Sequence, residues 1–128
     1  MLLKKMIIFL SVISLSILMG CVQQERELVV GNYTDAQTIV YSENTVTDKE
    51  KIDDFKTIIE ASSITNERPK GLPQYVVTIN NPEESTMELM VNFWKNDNNE
   101  FVFSKGMESN EYFKITEEHI KDVNEFLE

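Results

Sequence analysis

The chain is expected to fold as an α+β domain: an antiparallel sheet of about four to five strands, one amphipathic helix packed on a face, and a C-terminal helix. Three observations lead there. Short runs of β-branched and aromatic residues recur between turn-like segments, which favours strands joined by hairpins. One internal segment spaces its apolar residues as a helix does and sits behind a capping pattern. A second segment of that kind ends the sequence.

The elements follow in order. Leu28 to Tyr33 and Gln37 to Tyr41 read as two short strands or one bent strand, with Gly31, Asn32 and Asp35 as turn or bulge positions. Thr47-Asp48-Lys49-Glu50 has the capping-box spacing: a hydroxyl for an orphan N–H and a glutamate three residues on. Behind it, Ile52, Phe55, Ile58, Ile59 and Ser62 share one helical face, and Asp53, Asp54, Lys56 and Glu60 lie opposite. This predicts a helix over roughly 48–63 that must pack its stripe on a partner, because a helix of that length is marginal alone.

Asn66 to Gln74 contains Pro69, Gly71 and Pro73 and reads as a loop. Tyr75 to Asn80 is strand-like, and Asn80 to Glu84 is a turn. Met87, Leu89, Val91 and Phe93 alternate with Glu88, Met90, Asn92 and Trp94, a period of two. Asp97-Asn98-Asn99 is a turn before a strand at Glu100 to Ser104, and Tyr112 to Ile115 is one more short strand. Thr116 is placed to cap a last helix that turns Ile120, Val123, Phe126 and Leu127 inward.

The N-terminal segment, MLLKKMIIFLSVISLSILMGC, has a different character. Lys4 and Lys5 precede an apolar run from Met6 to Met19. As a helix that run would rise roughly 21 Å, short of the ~30 Å core of a bilayer. Its charge, length and small-residue end are those of a secretory signal. Leu18-Met19-Gly20-Cys21 resembles a bacterial lipobox: an apolar residue, a variable one, a small one, then the cysteine. The resemblance implies cleavage between Gly20 and Cys21 and a diacylglycerol thioether on Cys21, which anchors the protein to the membrane. Two acyl chains hold stably where one binds marginally. Cys21 is the sole cysteine, so no intrachain disulfide framework is available. Residues 1–20 are thus expected to be a signal peptide, 21–27 the lipidated cysteine and a short tether, and 28–128 a single domain at the outer face of the cytoplasmic membrane.

The formal net charge is −10, and loss of Lys4 and Lys5 with the signal makes it −12. Such an acidic surface argues against nucleic acid as a partner, since phosphate contacts need Lys and Arg. It argues equally against flat adhesion to anionic lipid.

Four stretches share a further pattern: TVTDKEKIDDFKTIIEAS, LPQYVVTI, VNFWKNDNNEFVF and YFKITEEHIKDVNEFL. They carry a T-D-x-x-x-I helix start, a P-x-Y strand, a lone Trp before a turn, and a terminal Y-x-K-I-T-x-E helix. In these features, over about residues 39–127, the chain resembles the small YhfM-like lipoproteins of Bacillus and relatives. Those proteins carry no established enzymatic activity, so the resemblance implies the fold class and an envelope location and little else; no cofactor is expected. Gln74 stands where those proteins often have Asp.

Few residues suggest chemistry. His119 is the only histidine, and its neighbour Glu118 points about 100° away on a helix, so no catalytic set is expected around it. Asp97-Asn98-Asn99-Glu100 supplies calcium-like oxygens, yet an EF-hand needs Gly at its sixth place, which counted from Asp97 is Val102. A turn built on Asx side-chain bonds fits better. Trp94 runs out of phase with the strand's apolar set, and with Met90, Tyr75 and Phe103 it forms a candidate binding patch for a protein or peptide. The leading expectation is a non-enzymatic, lipid-anchored binding module. A small envelope hydrolase or an inhibitor-like regulator is the alternative, and a signal segment processed into a secreted peptide is a third class.

Replacing Cys21 by Ser is expected to move the protein from the detergent-rich to the aqueous phase of a Triton X-114 partition, and the native N-terminus should carry the mass of a diacylglycerol. A native product with an unmodified start would overturn the anchor.

Overall fold

The computed structural model describes residues 25–128. The expected signal peptide, with Gly20 and Cys21, and residues 22–24 of the expected tether lie outside the described residues. The fold is α+β with one antiparallel sheet, and the sheet has seven strands rather than four or five. They are β1 (Glu27–Asp35), β2 (Thr38–Val46), β3 (Ser63–Thr65), β4 (Tyr75–Asn81), β5 (Thr86–Lys95), β6 (Phe101–Lys105) and β7 (Tyr112–Lys114). Helix α1 (Lys49–Glu60) lies between β2 and β3, and a 3₁₀ turn (Glu117–His119) leads into helix α2 (Ile120–Leu127). The spatial order is β2-β1-β4-β5-β6-β7-β3.

Strands β4 to β7 form a meander of antiparallel neighbours. The β1–β2 hairpin docks on β4, with Leu28 opposite Ile79 and Val30 opposite Val77. The chain then crosses the whole sheet through α1 and returns as β3, which pairs with β7 at the far edge. β3 is three polar or exposed residues long, so no alternating pattern announces it. Its pairing comes from where α1 delivers the chain.

Capping of α1 differs from the expected box. Asp48, one residue after Thr47, is the N-cap, and its carboxylate accepts from the N–H groups of Glu50 and Lys51 at 2.9 and 3.3 Å. A carboxylate satisfies orphan donors as a hydroxyl does and also faces the positive end of the helix dipole. Thr116 differs too: the last helix opens with a 3₁₀ turn, and the Thr116 hydroxyl is buried and makes no hydrogen bond.

Both helices share one face of the sheet. Ile52, Phe55, Ile58 and Ile59 of α1 and Val123 and Leu127 of α2 are buried against Leu28, Val77, Ile79, Val91, Phe93, Phe101 and Phe103. Phe93 sits among aromatic rings, with Phe55, Phe101 and Phe103 at centroid distances of 6.2, 5.9 and 5.6 Å. Phe55 also meets Phe126 edge-on at 5.3 Å, which joins the two helices. Such edge-to-face pairs add about 0.5–1.5 kcal/mol each beyond the area that they bury.

The opposite face is not bare. Val76, Thr78, Asn92, Val102 and Ser104 point there and are buried. Part of the cover is local: Tyr41 of β2 lies across from Gly31 of β1. A Cβ on Gly31 would come within 2.8 Å of Ile39 Cγ2 and 2.9 Å of Tyr41 Cδ1. Glycine leaves the space that those two side chains fill, an aromatic covering of a glycine in a strand.

Arg26 fastens the start of β1. Its guanidinium donates to Asp53 on α1 at 2.8 Å and to Glu88 on β5 at 3.1 Å, and Lys56 approaches Glu88 at 3.8 Å. The Arg26 hydrogen bond holds the Asp53 carboxyl below the ordinary carboxylate range, and Lys49 and Lys56 add to this. Glu100 is held low by the Asn96 side chain and then by Lys114.

Two outcomes follow from this packing. Phe55→Ala is expected to cost about 3–5 kcal/mol, read as a fall in urea-denaturation free energy. Asp53 and Glu100 are depressed in the folded state, so they contribute stability above the unfolded carboxylate range, near pH 4, and that contribution is lost as pH falls through their folded values. Asp53→Asn should therefore lower the urea midpoint at pH 7 and leave it nearly unchanged in strong acid.

Candidate functional site

Two concave regions flank the sheet. The first is a half-open groove of about 730 Å³ on the helix side. The β1–β2 hairpin forms one wall through Val30, Asn32, Ser42, Asn44 and Val46. Helices α1 and α2 form the other through Thr57, Ile58, Phe126 and Leu127. The hairpin reaches beyond the helices because α1 and α2 are short against a wide sheet, so the outer strands have no helix above them. Leu28 and Ile58 close the back and are buried, and Val30, Val46 and Phe126 are half-buried.

Charge at the rim is mostly negative. Asp54, Asp122, Glu125 and Glu128 line it, with Lys51 as its lysine. His119 is there as well, at the 3₁₀ turn that starts the last helical segment. Its Nε2 lies 3.5 Å from Glu118 and its Nδ1 3.8 Å from Asp122. The contact with Glu118 differs from the sequence expectation: adjacent side chains on a 3₁₀ turn stand about 120° apart, and the glutamate reaches the ring by folding back. Ser42 lines the same groove, and its hydroxyl accepts from the Asn44 N–H at 3.2 Å.

The second region is a cleft of about 610 Å³ on the other face, lined by Tyr33, Leu72, Pro73, Asn92, Trp94, Met107 and Tyr112 among others. Its polar groups are largely committed. Trp94 Nε1 donates to the Gly71 carbonyl at 3.0 Å. Asn92 accepts from the Tyr33 hydroxyl at 3.3 Å and donates to the Gly106 carbonyl at 2.7 Å. Burial, with a smaller push from Tyr41, raises the Tyr33 phenol above its usual value. Trp94 packs edge-on against Tyr112 at 5.8 Å, and Arg68 covers the Tyr112 ring at 5.0 Å.

The four residues of the candidate patch do not come together. Trp94 and Met90 lie on the face away from the helices, as their phase in β5 requires. Tyr75 pairs with Phe93, and Phe93 pairs with Phe103, so both Tyr75 and Phe103 belong to the helix face. Phe103 is wholly buried in the core. The pleat separates the set: residues opposite one another in register share a face, and Trp94 is one position out of step with Phe93. Trp94 is half-buried under the 66–74 loop.

The Asp97-Asn98-Asn99 turn is organised by the residue before it. Asn96 Oδ1 accepts from the N–H groups of Asn98 and Glu100 at 3.0 and 2.9 Å, and Asn99 takes a left-handed φ of 58°. Among the described residues no group of three or more His, Cys, Asp or Glu side chains is placed to hold a metal ion. Gln74 ties three segments: its side chain accepts from the Lys95 N–H at 2.9 Å, its N–H donates to the Phe93 carbonyl, and its carbonyl accepts from Asn32.

Sequence reasoning missed the groove because its walls come from the hairpin and two helices distant in the chain. The one local signal was β2 itself, where Ser42-Glu43-Asn44-Thr45 breaks the apolar alternation. Comparison of the chain with protein-family models, with curated proteins and with solved structures gives no match.

Proposed function

We propose that the protein is a lipid-anchored binding module of the cell envelope, held at the outer face of the membrane through diacylglycerol on Cys21, whose groove between the β1–β2 hairpin and the helices takes up a ligand without transforming it. The observation that carries the binding part is the groove: about 730 Å³ of concave surface with an apolar back and an acidic rim. Ligand sites in small proteins have this composition, apolar walls with a few placed polar groups. Asn32, Ser42 and Asn44 supply neutral donors and acceptors on the hairpin wall. The anchor rests on the apolar run and Gly20-Cys21, and the resemblance to the YhfM-like lipoproteins points to the same place.

Ser42, His119 and Asp122 line this one groove, which keeps a small hydrolase as the second reading. Acyl transfer needs the serine hydroxyl held by the imidazole and the imidazole oriented by an acid. Here the Ser42 oxygen accepts from the Asn44 N–H of its own strand, and Asp122 stands 3.8 Å from His119, beyond hydrogen-bond distance.

Nile red, a neutral apolar dye, is expected to bind the wild-type protein with enhanced fluorescence, and Ser42→Trp, at an exposed position on the groove wall, should weaken that binding at least tenfold with the melting curve unchanged. Equal dye binding by the two proteins would remove the groove as the site. Turnover of p-nitrophenyl esters that Ser42→Ala abolishes would replace the binding reading with the hydrolase.

A further inference from the structure

The groove runs into an open sheet edge. β2 stands last in the strand order, and among the described residues it pairs only with β1. It is nine residues long, and most of its side chains are exposed. Edge strands are usually guarded by Lys, by Pro or by being short. β2 contains no Lys, Arg or Pro, and it exposes Val40 and Tyr41 to 56 and 42 %. Its guards are Glu43 and an irregular stretch between Tyr41 and Thr45, where one β1 residue faces three of β2. Ile39 to Tyr41 remain in steady register with β1, and the shift beyond Ile39 puts its extra residue, Thr34, on β1, so Thr38 to Tyr41 of β2 still leave a regular outer edge.

We propose that this edge accepts an extended peptide segment whose alternate residues are basic and apolar, added as an eighth strand beside Thr38–Tyr41 and continuing over the mouth of the groove. The inference rests on the groove as a binding site and names its ligand class. Main-chain hydrogen bonds give strand addition its affinity, and the alternating side chains give its selectivity. The two faces of β2 differ in the way that such a segment needs. Ile39 and Tyr41 lie on the face away from the helices and offer an apolar contact. Ser42, Asn44 and Val46 lie on the helix face and border the groove. There a Lys or Arg stem rests along Val30, Val46 and Phe126 while its charge reaches Asp54, Asp122 or Glu125. A second copy of this chain is the disfavoured occupant, because each anchored copy brings a net charge of −12 and another Glu43 to the same edge.

The test uses the mature acylated protein, residues 21–128, in uncharged phosphatidylcholine vesicles, with a dye-labelled octapeptide alternating Lys and Val as probe and anisotropy as readout. Expected is saturable binding, weakened at least tenfold when Glu replaces Lys in the peptide, when the central peptide nitrogens are methylated, or when the protein carries Asp122→Lys with Glu125→Lys. Thr38 to Tyr41 amides should slow in hydrogen exchange when the probe is bound. Equal affinity for the Lys and Glu peptides, or binding without added protection of those amides, overturns strand addition. Sedimentation as a dimer without peptide also overturns it, by giving the edge to a second copy. Nile red binding that survives while the peptide fails to bind sinks this inference alone, whereas loss of both sinks the groove.

Discussion

Phe55 of α1 against Phe93 of β5 is the contact on which the rest of the fold depends. It places the helix over the middle of the sheet, where β4, β5 and β6 carry most of the sheet's buried apolar residues. The helix has a second duty. It must carry the chain from β2 at one edge to β3 at the other, across six strand spacings of about 4.8 Å. A 12-residue helix covers only about 18 Å of that distance. Short extended connectors and the curl of the sheet supply the difference. With the Phe55–Phe93 contact, one amphipathic segment both buries its stripe and closes the topology.

The same geometry creates the groove. Two short helices, joined by Phe55 and Phe126, cover the centre of a seven-stranded sheet and stop short of the β1–β2 hairpin. The uncovered strip lies between apolar side chains that point at the helices and polar ones on the rim. Acidic residues collect there because the exposed sides of both helices carry Asp and Glu, including Asp54, Asp122 and Glu125. Part of the chain's negative surplus therefore lies where the surface is concave, which strengthens its pull on cations there.

Sequence reasoning reached what local pattern controls. The stripe of Ile52, Phe55, Ile58 and Ile59 and the alternation of Leu89, Val91 and Phe93 each identify an element and its buried face. It could not reach β3, whose Ser-Ile-Thr has no pattern of its own and pairs with β7 because of where the chain is delivered. The strand count was therefore low. Capping was misplaced by one residue because Thr47 and Asp48 are both good caps and only the backbone chooses between them. The Trp94 set failed for a different reason: four residues noted for their size were grouped without the cross-strand register, which puts Tyr75 and Phe103 on the far side of the sheet.

β1 is the first strand of the folded body and also an inner strand, paired on one side with β2 and on the other with β4. A leash fixed ahead of Arg26 would pull along the length of that strand. Force in that direction shears both ladders at once, so all of their hydrogen bonds share it instead of opening one by one as a peeled edge does. The Arg26 bridges to α1 and β5 stand first in line and pass part of the tension into the helix layer. A body moored in this way would resist being dragged apart by a pull on its groove.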